Sequence, residues 1–210
     1  MFTGIIRQIG TIKNVTPRDE LIVFEIQCAG MEKKKSGDSI AVDGACLTVV
    51  QITQDGFTTE AMPETLEKTI CKNYQPGTKV NIEEPLKIGD ELNGHFVSGH
   101  VDYVGKVQNM KEDQNTKTIH ITVPEKMQKY FALKGSVTIN GVSLTISDIG
   151  TGWFGVSLIP ETLQQTNLGA LKKDDSVNIE VDLISRYLDS LMKDKEKQAS
   201  YEFLQERGFL

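Results

Sequence analysis

The sequence predicts an all-β protein of two tandem small closed barrels, with one helix after them. Three observations carry that expectation. The chain repeats itself once, each repeat is dense in short β-branched runs cut by turn residues, and a tail outside the repeat follows a helical period.

The repeat is direct. Residues 40–85 align with 137–182 at a constant offset of 97 and without a gap, and 14 of those 46 positions are identical. IAVDGACLTV lies over VTINGVSLTI, MPETLEKT over IPETLQQT, and one VNIE over another. The N-terminus repeats at an offset of 95, MFTGIIRQIGTIKNV over FVSGHVDYVGKVQNM, which matches Gly4 with Gly99 and Gly10 with Gly105. The expected units are 1–95 and 96–182, with 183–210 left over. Such lengths suit whole domains rather than solenoid repeats. Duplication implies that both halves began with one task, so a difference at a matched polar position is informative.

Each element has its own signal. LIVFEIQ, SIAVDGACLTVVQI, KTIHITV, GSVTINGVSLTISDI and SVNIEV are β-branched runs with partial alternation, hence strands. Asp43-Gly44, Asp55-Gly56 and Asn140-Gly141 read as turns. About six short strands per half suit a small barrel. A helix is expected to start at Pro124 and run through PEKMQKYF to Gly135. In the tail, Leu183, Ile184, Tyr187, Leu188, Leu191 and Met192 make one apolar stripe at helical spacing. The stripe packs either on its own barrels or on the same helix in other copies. Its position outside both repeats favours the second.

Composition removes several functional classes. With 39% hydrophobic and 25% charged residues, the chain has the apolar content that a disordered chain lacks. No run of ~20 apolar residues spans a membrane, and the N-terminus shows no signal-peptide pattern. Net charge is −6 with scattered Lys and Arg, which argues against a nucleic-acid partner. The three cysteines, Cys28, Cys46 and Cys71, fit no metal-binding spacing and are expected to be free thiols in the cytoplasm.

The repeated signatures are the candidates for chemistry. Each half has a [DN]-G-x-[CS]-L-T turn into a strand and a P-E-T-L. Pro63 and Pro160 push Met62 and Ile159 into extended geometry. The next residues open a helical turn whose N–H groups are free for a ligand or a cap. One such copy reads as a plain strand-to-helix corner; two copies, each paired with the same turn motif, favour a site. Cys46 and Ser143 are matched, and Ser143 and Thr145 place two hydroxyls on one face of a strand. Facing a core, those hydroxyls would have to bond the backbone or line a site. His100 is matched with Ile5, so one half has gained a group able to move protons near neutral pH. His120 lies in a strand and reads as structural or exposed. The His95–His100 spacing makes no convincing metal site.

MFTGII, GACLTV, MPETL, GHFVSGHVD, NGVSLT and LIPETL, in that order within a tandem repeat followed by a helix, resemble riboflavin synthase of the α-chain type over nearly the whole chain. That resemblance implies two six-stranded Greek-key barrels and a C-terminal helix that assembles a homotrimer. It implies dismutation of two 6,7-dimethyl-8-ribityllumazine molecules to riboflavin and 5-amino-6-ribitylamino-uracil, without cofactor or metal. Lumazine synthase is the implied candidate partner. One lumazine binds each barrel, between the N-barrel of one subunit and the C-barrel of the next. Carried over, the N-barrel pocket is Gly4, Ile5, Ile6, Cys46, Leu47, Thr48, Glu60, Ala61, Met62, Pro63, Glu64 and Thr65. The C-barrel pocket is Gly99, His100, Val101, Lys134, Ser143, Leu144, Thr145, Ser157, Leu158, Ile159, Pro160, Glu161 and Thr162. His100, Ser143, Thr145 and Asp182 are the candidates for proton handling, with Cys46 and Phe2 near the reacting rings. The competing relative is the non-catalytic lumazine-binding antenna protein, which is degraded in the segments this chain keeps.

Overall fold

A computed structural model describes residues 1–113 and 116–206; the end of the expected tail, 207–210, lies outside the described residues. The first barrel contains β1 (Gln8–Arg18), β2 (Leu21–Gln27), β3 (Ser39–Val42), β4 (Ala45–Thr53), β5 (Gly56–Ala61) and β6 (Lys79–Glu83). The short helix α1 (Pro63–Lys68) lies between β5 and β6. The second barrel contains β7 (Tyr103–Asp113), β8 (Thr116–Thr122), β9 (Ser136–Ile139), β10 (Val142–Gly150), β11 (Trp153–Leu158) and β12 (Ser176–Val181), with α2 (Pro160–Gln165) between the last two. Around the first barrel the order is β1-β2-β5-β4-β3-β6, and the second closes in the matching order. All pairings are antiparallel. The jump from β2 over to β3 and back makes the Greek-key crossover.

The repeat extends to local irregularities. The register slips between Ile12 and Asn14 and between Val49 and Gln51, and again between Val107 and Asn109 and between Ile146 and Asp148. Such bulges sharpen strand bending where a sheet closes on itself. Alternation fills each barrel. Phe24, Ile26, Ile40, Val49, Phe57 and Ile82 are fully buried in the first. Ile119, Ile121, Val137, Ile146, Phe154 and Ile179 are their counterparts in the second. The offset changes from 95 to 97 between β2 and β3, where the second half is two residues longer. That stretch holds a 3-10 turn over Glu125–Tyr130 with Pro124 as its cap. The helix expected from Pro124 to Gly135 is therefore a short 3-10 turn, because the chain returns to extended geometry at Phe131 to enter β9. His120 stacks on Trp153, with ring centroids 4.2 Å apart, in a structural role.

The halves meet around a local twofold axis. Phe2 and Val97, matched in the repeat, pair with each other: Phe2 N–H donates to Val97 O at 2.8 Å and Val97 N–H to Phe2 O at 3.1 Å. Further along, Asn81 Nδ2 donates to Asn140 O at 2.9 Å and its counterpart Asn178 Nδ2 to Asp43 O at 2.8 Å. The two asparagines also accept the amides that start the 3-10 turns of the opposite half, Asn167 N–H and Ile70 N–H, each at 2.8 Å.

Helix α3 (Leu183–Glu206) leaves the second barrel. It is anchored through its polar side: Arg186 bonds Asp102, and Asp189 takes Lys129 Nζ at 2.6 Å and the Tyr130 hydroxyl at 2.9 Å. Its apolar stripe points the other way, with Ile184, Tyr187, Leu188, Leu191 and Met192 all more than half exposed. The alternative in which the stripe covers the chain's own barrels is excluded for these residues. No described helix is long and apolar enough to cross a membrane.

Candidate active site

Strand alternation sets the site residues outside each core. In β4, Ala45, Leu47 and Val49 enter the barrel, so Cys46 and Thr48 face outward. In β10, Val142 and Ile146 enter, so Ser143 and Thr145 face outward. The paired hydroxyls therefore do not burden a core.

What lies over them is exchanged between the halves. Cys46 N–H donates to Gly99 O at 2.9 Å, and Ser143 N–H donates to Gly4 O at 2.7 Å. Ile6 packs against the second core and Val101 against the first. The expected grouping is thus reversed. Gly4, Ile5 and Ile6 were expected with Cys46 but belong beside Ser143, whereas Gly99, His100 and Val101 lie beside Cys46. The repeat establishes which residues are equivalent, not which barrel each segment visits, and the Phe2–Val97 pair at the axis carries each segment across. Both crossings require glycine. Gly4 and Gly99 have φ of +75° and +81°, and a Cβ on either would lie 2.6 Å from the Cβ of Ser143 or Cys46 respectively.

Each crossing is held by a buried carboxylate. Glu83 Oε1 accepts the amide and hydroxyl of Thr3, both at 2.7 Å, and its Oε2 accepts Gly4 N–H at 3.0 Å. Glu180 does the same for Ser98, at 2.7 and 2.6 Å, and for Gly99 at 3.0 Å. Burial pushes both carboxyls above their usual range, against the pull of these donors.

The first site is a cavity of about 210 Å³ bounded by Cys46, Thr65, Lys68, Gly99, His100 and Val101. Glu64 and Lys68 pair at 2.6 Å at its edge. In the second, His95 Nδ1 lies 2.7 Å from Ser143 Oγ. Burial holds the His95 imidazole below its usual range, opposed by the charge of Asp182. Near neutral pH His95 is a neutral ring that can accept a proton. Asp182 itself caps α3, its Oδ1 accepting Ile184 N–H at 2.9 Å.

The other expected residues divide by exposure. Thr48, Thr145, Lys134, Ser157, Pro63, Pro160 and Glu161 are exposed. Met62 and Ile159, at matched positions, are 65% and 55% exposed, large apolar side chains open for a contact. Thr65 and Thr162 are half-buried and their carbonyls accept Thr69 and Thr166 hydroxyls at 2.6 Å, closing each PETL turn. Half-buried Glu60 bonds Arg18 at 3.4 Å, and Leu144 packs on the second core. Leu47, Ala61 and Leu158 point into the barrels, so only their backbone reaches a ligand. Phe2 is also corrected. It is fully buried, packed with Ala41, Val97 and Cys46, because its pairing with Val97 drives the ring into the seam between barrels. It buttresses Cys46 and does not line a pocket.

Sequence reasoning missed His95, Glu83 and Glu180. His95 lies just ahead of the aligned segment that starts at Phe96, and so it escapes a comparison of halves. The two glutamates were visible as the repeated VNIE.

The lumazine binding domain model matches twice, at residues 3–84 and 98–182. The chain is 36% identical to the riboflavin synthases of Photobacterium phosphoreum and of Bacillus subtilis (strain 168), with 100% of each chain covered. It is 39% identical to that of Mycobacterium bovis over 92% of this chain and 98% of the relative. Among solved structures, LumP complexed with riboflavin superposes with a TM-score of 0.81 at 27% identity, covering 86% of this chain and 99% of LumP. LumP complexed with 6,7-dimethyl-8-(1'-D-ribityl) lumazine gives 0.78 at the same identity and coverage. Two matched lumazine-binding barrels and full-length identity place the chain in the riboflavin synthase family.

Proposed function

We propose that the chain is a riboflavin synthase. It binds two molecules of 6,7-dimethyl-8-ribityllumazine, transfers a four-carbon unit from one to the other, and releases riboflavin and 5-amino-6-ribitylamino-uracil. The observation that supports this above others is the pair of matched sites whose reactive positions differ, Cys46 with His100 in one and Ser143 with His95 in the other. A reaction between two identical molecules in unlike roles needs two similar sites with unlike chemistry.

The donor's C7 methyl must lose a proton, and a nucleophile must add to the acceptor's C7. The neutral His95, bonded to Ser143, suits it to take a proton through the hydroxyl. His100 and Thr65 flank the other ring, and the exposed Met62 and Ile159 offer apolar surface to each. Holding two rings face to face supplies a large share of the acceleration by proximity.

The exposed face of α3 supports an assembly of copies. An outward apolar stripe in water needs a cover, and the same stripe on other copies provides one that matches it. We place three copies around these helices, with each full site formed between the first barrel of one copy and the second barrel of the next. The three free thiols suit a reducing cytoplasm. Lumazine synthase is the proposed partner, testable by co-sedimentation.

The antenna reading draws on the likeness to LumP. It is the weaker one: this chain keeps both PETL turns, GHFVSGHVD and NGVSLT, and the curated synthases cover all of it. Purified protein mixed with the lumazine should generate riboflavin absorbance. Binding without turnover would leave the antenna reading.

A further inference from the structure

One polar contact ties the outgoing helix to the opposite site. Asp102 closes the crossing segment that carries Gly99, His100 and Val101 over Cys46. Its Oδ2 accepts Val181 N–H at 2.9 Å, and both its oxygens take Arg186 Nη2 at 2.9 Å. Its own amide donates to Ile179 O at 2.8 Å. The matched residue in the first half is Arg7, whose amide donates to Ile82 O at 3.3 Å as that of Asp102 does to Ile179 O, and whose own charge acts on Glu83 without a residue of α3 in between. The clamp is therefore one-sided, serving only the segment that completes the first barrel's pocket.

The electrostatics say what the guanidinium does there. Glu180 grips Ser98 and Gly99, and Asp102 lies close enough to raise the Glu180 carboxyl. Two carboxylates thus hold one five-residue segment from its two ends. The charges acting on Asp102 are Arg186 from α3 and His100 from the segment itself. Without Arg186 nothing from α3 offsets the repulsion between the two carboxylates, and Asp102 keeps only the Val181 N–H and the charge of His100. Arg186 also leaves its Nε buried without a partner, a geometry that favours Nη2 reaching Asp102 over its own satisfaction.

We infer that Arg186 is a positioning residue for the first barrel's site: through Asp102 it fixes Gly99–Val101 over Cys46, so that α3 sets the geometry of a pocket it does not touch. The inference rests on the synthase reading only for its turnover readout. The pair is part-buried, so losing one partner can also loosen the fold, and the two buried thiols are the control that separates the two effects.

Alkylation of the full-length protein by iodoacetamide, mapped by mass spectrometry, tests this without substrate. Cys46 is the half-buried thiol, while Cys28 and Cys71 are buried and report general loosening. In R186Q, Cys46 should react about 10-fold faster, with Cys28 and Cys71 unchanged, and riboflavin should protect it less. kcat should fall by ~10–100-fold, the order expected for a small misplacement of a site. R186K, which keeps the charge, should restore part of each. Should R186Q fail to fold, D102N keeps the acceptor for Val181, loses the ion pair and carries the same comparison. Equal Cys46 rates in parent and variant, or faster reaction at all three thiols together, overturns the inference. If the parent never forms riboflavin but the Cys46 contrast persists, the synthase reading fails and the positioning role stands.

Discussion

Gly44 and Gly141 are the same residue of the repeat, and they touch. A Cβ on either would lie 2.7 Å from the backbone nitrogen of the other, and both have φ of +77°. The local twofold axis passes between them, so the two barrels meet there backbone against backbone.

Gly44→Ala should therefore be costly. The left-handed backbone and the contact together cost about 2–4 kcal/mol. Gly37 has φ of +91° but nothing within 4 Å of its added Cβ, so Gly37→Ala should cost less. Urea midpoints for the two variants decide; equal losses would mean that the contact at the axis relaxes freely.

The axis also buries a carboxyl. Asp43 accepts Tyr74 OH, Asn81 N–H and Asn167 Nδ2, each within 2.7–2.8 Å. Burial pushes its pKa up to about 7, against ~3.9 unfolded. The folded state binds its proton more tightly, so this contribution is complete below about pH 4 and is lost as pH rises through 7. Asp43→Asn, which copies Asn140, removes that loss. Its stability relative to the parent should rise between pH 5 and 8, by up to about 2–4 kcal/mol. A difference that is flat over this range would show that Asp43 does not titrate there.

Residues sharing a pocket should couple. His95→Gln and Ser143→Ala should each lower kcat by ~10²–10⁴-fold, and the double variant by little more than either. Cys46→Ser should retain substantial activity, because Ser143 fills the matched place with a hydroxyl. His100→Gln with Ser143→Ala should couple less than His95→Gln with Ser143→Ala, since within a chain His100 lies beside Cys46 and only His95 bonds Ser143. Single-turnover rates across the two cycles would show it, and His100–Ser143 coupling as strong as His95–Ser143 coupling would contradict the exchanged arrangement.

Leu188→Glu together with Leu191→Glu should convert the assembly to single chains with intact barrels. Sedimentation velocity reads the mass and far-ultraviolet circular dichroism the fold. An unchanged mass would mean that the exposed face of α3 is not the interface.

The fragment 1–95 should behave as a pair. Alone, it has Cys46 but lacks Gly99–Val101 to cover it. Thr3-Gly4 of a second copy is held by Glu83 in the same way as Ser98-Gly99 by Glu180. Two fragments should dimerise and bind riboflavin, whereas a folded monomer that binds equally well would rule this out.

The strands, their order of appearance and the PETL turns were readable because alternation and turn residues act locally. The Cys46–Ser143 match was readable because duplication preserves position. The partner of each crossing segment was not, because Gly4 and Gly99 make the same local bonds whichever barrel they visit. His95 lay in plain sight beside His100, yet only its 2.7 Å approach to Ser143 distinguishes the two. The exposed stripe of α3 was legible, and its direction came from Arg186 and Asp189, whose partners lie 84 and 60 residues away.

The exchanged segments carry a statement about ancestry. A lone barrel with this architecture would need its lid from a sister molecule, as a pair of identical chains supplies. Joining them kept an old embrace and freed the sisters to become unlike. One now has a thiol under its lid; the other has a hydroxyl, and a histidine from the junction beside it.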